Sequence, residues 1–389
     1  MSSKKRILGK LFFFVSLIFV IQNSYGNPLY WNIDKLNKVK SDDSYITIKK
    51  KIQNEGTALL ATGVLSVCYK EDCSFVSDKH FYVSLAPFWW PDLKNQSGRY
   101  VRKDGVINPE VDKYDSNRLL ELSSRLKTLS IAYFLSEDKK YLDSYLSLIQ
   151  CWFIDSATYM YPNMEYSQIR IGHDDNKGRA EGLIDAYNFN DIIESVRLVQ
   201  SMNSFPPSLF IQLKSWFSSF LQWMQDSEIG IKESEASNNH SIAYDVTLLN
   251  ISVFVGNKST QKKIKKSFAN RMQSQILIDG SQPEELKRTR AFNYSVYNLS
   301  HIIDYYYIQK NLGNRISKKD LTLLRSAIDY LNQYVGYQYL FPYSEIGNWK
   351  SSEDAFKRLF NRYMRMGKNI KKMNFYSINE FNNLNNIIK

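Results

Sequence analysis

The sequence has few residues of the types that build metal centres, disulfide scaffolds or flexible linkers. Its 389 residues include three cysteines, four histidines and nine prolines, and their spacing matches no metal-binding motif. Glycine-rich linkers and low-complexity runs are absent, and 43% of the residues are hydrophobic, which excludes an intrinsically disordered chain. A globular protein without a metal or other cofactor is therefore expected. Because histidines are so few, the candidates for a base near neutral pH are few as well.

An odd number of cysteines cannot all pair within the chain. Cys68 and Cys73 bracket a short polar turn, and this spacing suits a local hairpin disulfide in an oxidising compartment. Cys151 lies beside Trp152 and Phe153 on an apolar helix, which predicts a buried free thiol.

Residues 1–26 have the features of a secretory signal peptide. Four cations precede the apolar run 11–21, and Ser24 and Gly26 offer small residues for cleavage. The apolar run is too short for a typical transmembrane helix, and no cysteine follows it that could carry a lipid anchor. The mature protein is expected to be periplasmic or secreted, with no stable membrane insertion after the signal is removed.

The net charge points to a polyanionic partner. The signal contains four cations and no Asp or Glu, so its removal lowers the formal net charge from +12 to +8. Nucleic acid is not expected, because no helix-turn-helix, zinc or RNP-type motif is present. An acidic polysaccharide fits an exported basic protein better. The 27 tyrosines could fill a core or stack on sugar rings.

Helical periodicity runs through most of the mature chain. Residues 116–136 place apolar side chains at intervals of three and four. Strand signals are confined to 57–69 and 80–85. Further helices are predicted at 138–153, 190–201, 207–224, 235–255, 258–276, 291–310 and 317–337, with an initial helix within 27–56.

This pattern predicts one all-α domain over 27–389, with its core at about 80–340. We expect antiparallel helix pairs to form an incomplete (α/α) toroid, and a monomer. The long loops 86–113, 159–180 and 279–290 would then line a central cleft.

Two segments carry the side chains with the most chemical potential. Asn238, Asn239 and His240 open a predicted helix, and Tyr244 follows His240 by one turn. An amide and an imidazole, joined by an arginine and a phenol, could neutralise a carboxylate, remove the adjacent proton and protonate a leaving oxygen. The alternative is that Asn238 or Asn239 caps the helix and His240 is an exposed residue of its first turn.

The second segment follows the turn at 279–283. Arg288 and Arg290 precede Tyr294 and Tyr297 on a predicted helix. These residues could be surface cations and core aromatics, or they could place a guanidinium and a phenol at the edge of a packed helix. Both arginines lie close to Tyr294 in sequence, and Arg288 is the favoured partner.

Six stretches together carry a family resemblance and run in order over residues 80–310. They are SLAPFWWP at 84–91, DGVINPE at 104–110, YPNMEYSQ at 161–168, GRAEGLID at 178–185, NNH at 238–240 with YD at 244–245, and 279–294. On these stretches the chain resembles the alginate lyase superfamily of α/α-toroid polysaccharide lyases.

The resemblance implies a role for each matching residue. Asn239 and Arg288 would bind and neutralise the uronate carboxylate. His240 would neutralise it further or act as the base, and Tyr294 would be the base, the acid, or both in turn. The residues expected to bind the rest of the substrate are Trp89, Trp90, Tyr166, Gln168, Arg179, Asn238, Tyr244 and Arg290.

The predicted function is that of a secreted lyase that cleaves an acidic uronate polymer, foremost mannuronate-rich alginate. Cleavage by metal-independent β-elimination would leave an unsaturated uronate at the new non-reducing end. Hydrolysis is less favoured, because no pair of carboxylates is identifiable as a glycosidase acid and nucleophile. Two alternatives stay open: a lyase for a glucuronan or glycosaminoglycan, and a non-catalytic protein that binds anionic polysaccharides.

Overall fold

The computed structural model describes residues 26–71, 73–94 and 98–366. The predicted signal peptide lies outside these residues except for Gly26. The described chain has the predicted all-α architecture, an incomplete (α/α) toroid. Its helices are α1 (Ile33–Ser41), α2 (Ile46–Leu60), α3 (Asp115–Ser136), α4 (Lys139–Phe153), α5 (Asn188–Ser201), α6 (Pro207–Asp226), α7 (Glu228–Ser234), α8 (Asn239–Val255), α9 (Lys258–Gln275), α10 (Pro283–Leu286), α11 (Ala291–Asn311), α12 (Lys318–Asn332) and α13 (Trp349–Met366).

Four short strands lie in the connections between helices. They are β1 (Val83–Leu85), β2 (Trp89–Pro91), β3 (Tyr100–Arg102) and β4 (Tyr166–Ile169). The first pairs in parallel with β4, and β2 pairs antiparallel with β3. The 3₁₀ segments are Asp43–Tyr45, Val67–Tyr69, Pro109–Lys113, Asp174–Asn176, Ala180–Tyr187 and Gln338–Leu340.

Two sequence-based assignments are wrong. The predicted strand at 57–69 is replaced by the end of α2 and the 3₁₀ turn 67–69. Helix α2 lies so close to α3 that a Cβ at Gly56 would stand 2.9 Å from Cβ of Ala132, and this packing outweighs the local strand preference. The helix predicted at 235–255 begins at Asn239, because Asn238 accepts a hydrogen bond from the backbone N–H of His240 and caps the helix there.

The structure also corrects the expected hairpin disulfide, since Cys68 and Cys73 are free thiols. Lys70, which lies between them in the sequence, is held by contacts with other segments. Its buried ammonium donates to the carbonyls of Lys79 and Phe81 at 2.8 Å each and lies 3.1 Å from a carboxylate oxygen of Asp115. Cys151 is a buried free thiol, as predicted.

Helix α8 occupies the centre of the described fold and positions the cleft. It packs against α5, α6, α9 and α11, and every residue in it except His240 and Val255 is buried. Apolar residues lie on all sides of this helix, which requires such an environment, and polar residues such as Asp245 and Asn250 are buried among them. Its N-terminal residues are therefore held rigidly where the surrounding loops meet.

Two buried carboxylates secure the periphery. Glu194 accepts the backbone N–H groups of Leu29, Tyr30 and Trp31 at 2.7–3.1 Å, which ties the first described residues to α5. On the other side Arg362 of α13 pairs with Asp304 of α11, and both side chains are buried. Among the described helices, none is long and apolar enough to cross a membrane.

Candidate active site

A cleft of about 810 Å³ opens at the N-terminus of α8. The 3₁₀ segment 180–187, the residues after β1 and the start of α11 form its other walls. Eight of the twelve predicted site residues line it: Trp89, Gln168, Arg179, Asn238, Asn239, His240, Arg288 and Tyr294. The structure thus brings together residues that are up to about 200 positions apart in the sequence.

Two of the remaining predicted residues, Tyr244 and Trp90, point away from the cleft. Tyr244 lies one turn below His240 on α8, where it is buried and donates its hydroxyl to the Met224 carbonyl at 2.9 Å. Successive side chains on a strand point to opposite faces, so Trp90 does not share the orientation of Trp89. The Trp90 indole donates to the Val106 carbonyl at 2.9 Å.

Tyr166 and Arg290 also lie outside the cleft lining. The Tyr166 ring packs edge-on against Phe81 at 5.1 Å between centroids. Arg290 forms an isolated β-bridge with Glu345, and its guanidinium would lie 2.8 Å from a Cβ at Gly347. Residues 345–347 therefore contact Arg290, which does not line the cleft.

His240 is held by a buried carboxylate. Its Nδ1 lies 2.7 Å from Oε1 of Glu233, whose side chain is 2% exposed. Burial alone would lower the pKa of His240, but the charge and hydrogen bond of Glu233, with Glu181 and Glu285 nearby, outweigh it and raise that pKa. When Nδ1 carries the proton shared with Glu233, Nε2 is the nitrogen left to address the cleft.

Asn239 is fixed in the same way by Glu285. The Asn239 backbone N–H and side-chain amide donate to the two oxygens of this carboxylate, each at 2.7 Å. Burial raises the pKa of Glu285, and the two hydrogen bonds oppose that rise. The bidentate contact orients the Asn239 amide at the cleft wall.

Arg288 and Tyr294, which also line the cleft, are in contact with each other. The Arg288 guanidinium carbon stands 3.9 Å from the centroid of the Tyr294 ring, within the range of a cation–π contact. Asp104, from the loop after β3, accepts from Nη2 of Arg288 at 3.1 Å and from Oγ1 of Thr289 at 3.0 Å. Burial would raise the pKa of Asp104, but hydrogen bonds from Arg288 and Arg102 lower it to about 2.

The Tyr294 phenol is protonated in the free protein near neutral pH. Burial raises its pKa above the ordinary value, although Arg288 and Arg290 act in the opposite direction. The two arginines thus limit the rise rather than reverse it. In this state the phenol is a proton donor next to a guanidinium.

The floor of the cleft needs an unusually close backbone approach. Gln168 adopts φ 49°, and its backbone N–H donates to Ser84 Oγ at 2.8 Å. A Cβ at Gly182 would stand 2.4 Å from the Ser167 carbonyl oxygen, so this position requires glycine. The strained strand end sets the Gln168 side chain at the cleft surface.

The three carboxylates behind the site were not predicted from the sequence. Glu233 lies on α7, Glu285 on α10, and Asp104 belongs to the quoted stretch 104–110 without having been given a role. The sequence offered one indication for Glu233, because it lies only seven residues before His240. Whether the two side chains meet depends on the turn between α7 and α8, which the spacing does not specify. No group of three or more His, Cys, Asp or Glu side chains among the described residues is arranged to hold a metal ion.

This chain is similar to known proteins over most of its length. The family model for alginate lyase matches residues 66–341. An alginate lyase from Bacteroides ovatus is 34% identical, with a TM-score of 0.83 over 87% of this chain and 91% of that chain. Alginate lyase A1-III from Sphingomonas species A1 is 12% identical, with a TM-score of 0.44 over 74% of this chain and 78% of that chain. A variant of A1-III complexed with tetrasaccharide is 13% identical, with a TM-score of 0.44 over 75% and 78%. Among curated proteins there is no match.

Proposed function

The chain belongs to the alginate lyase family and is a polysaccharide lyase, and we propose that it is an exported enzyme that cleaves mannuronate-rich alginate by β-elimination. The observation that carries the proposal is the joint presence in one cleft of Asn239, His240, Arg288 and Tyr294. The combination supplies an amide, an imidazole, a guanidinium and a phenol. β-Elimination needs the uronate carboxylate to be neutralised, a base for the adjacent proton and an acid for the leaving oxygen, and these four groups can supply all three.

The first requirement is to neutralise the uronate carboxylate. The proton on the adjacent carbon is barely acidic while that carboxylate carries its full charge. The Asn239 amide and the Arg288 guanidinium bind it in the proposed complex and stabilise the enolate-like charge as it forms. Glu285 and Asp104 hold these two donors in place from behind, so little reorganisation is required during the reaction.

The second requirement is proton transfer. In the proposed reaction Nε2 of His240 takes the proton from C5 of the uronate, and Glu233 stabilises the imidazolium that results. The electron pair of the C–H bond forms the C4–C5 double bond as the bond from C4 to the glycosidic oxygen breaks. Tyr294 donates its phenolic proton to that leaving oxygen. Its raised pKa keeps this proton in place until it is needed.

The test is the appearance of the conjugated double bond, followed by ultraviolet absorbance. The mature protein is mixed separately with poly-mannuronate, poly-guluronate, hyaluronan and poly-glucuronate, beside His240→Ala and Tyr294→Phe. We expect absorbance to rise fastest with poly-mannuronate and to be lost in both variants. A faster rise on another polymer would replace alginate by that substrate.

The variants also test the assignment of the two proton transfers. Turnover that survives in His240→Ala and is lost in Tyr294→Phe would assign both transfers to Tyr294. If no polymer is cleaved by the wild-type protein, the β-elimination proposal fails for this set of substrates.

A further inference from the structure

A second cavity of about 600 Å³ adjoins the cleft. The two share four lining residues: Arg179, Ala180, Glu181 and Lys232. They are linked a second time, because the guanidinium of Arg170 in the second cavity stands 5.0 Å from the ring centroid of Trp89 in the cleft. The two cavities therefore adjoin along these residues, and a chain bound in the cleft can extend past them into the second cavity.

Most of the charge in the second cavity is internally balanced. Three cations face a carboxylate of the same lining: Arg170 with Asp174, Arg179 with Glu181, and Lys232 with Glu228. Lys177 and Glu165 are the two other charged residues of this lining. Both are exposed, and neither forms an ion pair with any residue that the structure describes. Lys177 can bind a carboxylate of a ligand, and Glu165 would repel it.

The loop that carries Lys177 is held in an uncommon conformation. Asp174, Asp175 and Asn176 have φ values of 50°, 51° and 55°, in the left-handed region that disfavours side chains. The Asn176 amide oxygen accepts from the Gly172 N–H at 2.8 Å. At the other end, a Cβ at Gly178 would be 2.4 Å from the Glu165 carbonyl oxygen. Strain of this kind persists where the surroundings enforce it, often at ligand sites.

The cavity also contains one tryptophan, which is suited to a sugar. Trp223 lines it and is half-buried. Its ring packs against Phe220 at 5.8 Å with an interplanar angle of 30°, so the ring is held in a fixed orientation. A rigid aromatic ring beside charged side chains offers an apolar surface together with hydrogen-bonding partners.

We propose that the second cavity binds the part of the uronate chain that extends beyond the cleft, with Lys177 pairing to a sugar carboxylate there. This inference rests on the proposed function, because it assumes that the same polyanion occupies the cleft. It assigns the cavity a role in selecting long substrates. The reacting bond stays in the cleft, and no step of the elimination passes through Lys177.

The test compares kcat/KM on purified mannuronate oligomers of increasing length. For Lys177→Ala the loss should grow with chain length, reach about two- to fivefold on the longest oligomers, as for one exposed ion pair, and disappear at about 1 M salt. For Glu165→Gln, kcat/KM on the long oligomers should rise instead. Lys262→Ala is the matched control, because it removes an exposed lysine of α9 that lines neither cavity.

Opposite shifts in the two cavity variants, with Lys262→Ala unchanged, would support the proposal. It is overturned if Lys177→Ala loses the same factor on every length, or behaves as Lys262→Ala does. Either result requires a wild-type protein that cleaves mannuronate oligomers. A wild-type protein that cleaves none would instead defeat the proposed function, so the two failures are distinguishable.

Discussion

Replacing Glu233 by Gln would separate the charge of this residue from its shape. The glutamine can still accept a hydrogen bond from Nδ1 of His240, now 2.7 Å away from the carboxylate, but it cannot stabilise an imidazolium electrostatically. Because Glu233 is the main cause of the raised pKa of His240, we expect that pKa to fall in the variant. His240 should then be a weaker base.

The magnitude follows from the kind of hydrogen bond that is lost. A hydrogen bond to a charged group contributes about 1.5–3 kcal/mol, and one between neutral groups about 0.5–1.5 kcal/mol. The difference of about 1–1.5 kcal/mol corresponds to roughly a five- to twelvefold decrease in the maximal kcat/KM. The low-pH limb of the kcat/KM profile, which reports loss of the His240 proton, should move to lower pH.

Stability should change with pH in a defined direction. His240 has a folded pKa raised above its unfolded value, so its stabilising contribution is full below about pH 6.5 and is lost as pH rises through the folded pKa. Wild-type protein should therefore exceed Glu233→Gln in urea stability at about pH 6. The difference should shrink by about pH 9, where the buried Glu233 carboxylate no longer faces an imidazolium.

The control is Glu284→Gln, which removes a carboxylate from the same cleft lining that pairs with exposed Lys287 instead. Its pH profile should match that of the wild type. The reasoning is refuted if the low-pH limb of Glu233→Gln stays in place or moves to higher pH. A limb that moves equally in both variants would indicate a general field effect rather than the His240 contact.

Three further predictions test the guanidinium assignment and the packing. Arg288→Lys should lower kcat/KM about 10- to 100-fold, because an ammonium cannot stack on the Tyr294 ring or donate in parallel to both oxygens of a carboxylate as a guanidinium does. Arg290→Lys should change kcat/KM by no more than about twofold. Equal losses for the two variants in the absorbance assay would contradict this assignment. Arg362→Leu should lower the free energy of unfolding by about 3–5 kcal/mol, because the buried Asp304 carboxylate loses the charge of Arg362 and keeps the hydrogen bond from the Tyr187 hydroxyl. An unchanged urea midpoint would argue against a structural ion pair. Gly280→Ala should lower the free energy of unfolding by more than about 1 kcal/mol, since φ is +90° and the new Cβ would stand 2.0 Å from a carbonyl oxygen of α12. An unchanged urea midpoint would count against this close approach.

Much of the fold could be predicted because its determinants are local. The apolar stripe of 116–136 reappears as α3, and Pro207 begins α6 as expected, since helix periodicity and N-terminal proline act within one or two turns. The strand predicted at 57–69 failed because Gly56 allows α2 to pack closely on α3. That contact joins segments about 75 residues apart, and no local pattern contains it.

The same division applies to the site. Asn239 and His240 are adjacent in the sequence, so a shared site could be predicted for them. The structure agrees in part with both interpretations of this segment, the helix cap and the cleft-facing imidazole. Asn238 caps α8, yet His240 is largely buried, with 16% of its side chain exposed, and faces the cleft. Tyr244 was placed beside His240 by helical spacing alone. The direction of the core, which spacing does not specify, turned it inward.

The carboxylates behind the cleft fix the orientation of its polar side chains and offset part of its positive charge. Three of the four proposed substrate-facing groups are held from behind by an acid: Glu233 for His240, Glu285 for Asn239 and Asp104 for Arg288. A bare guanidinium would bind a uronate carboxylate tightly in substrate and transition state alike, which does not accelerate the reaction. Partial neutralisation by fixed acids weakens that uniform attraction while it preserves orientation. The charge that develops during elimination is then met by donors already in position, which is the condition for electrostatic catalysis.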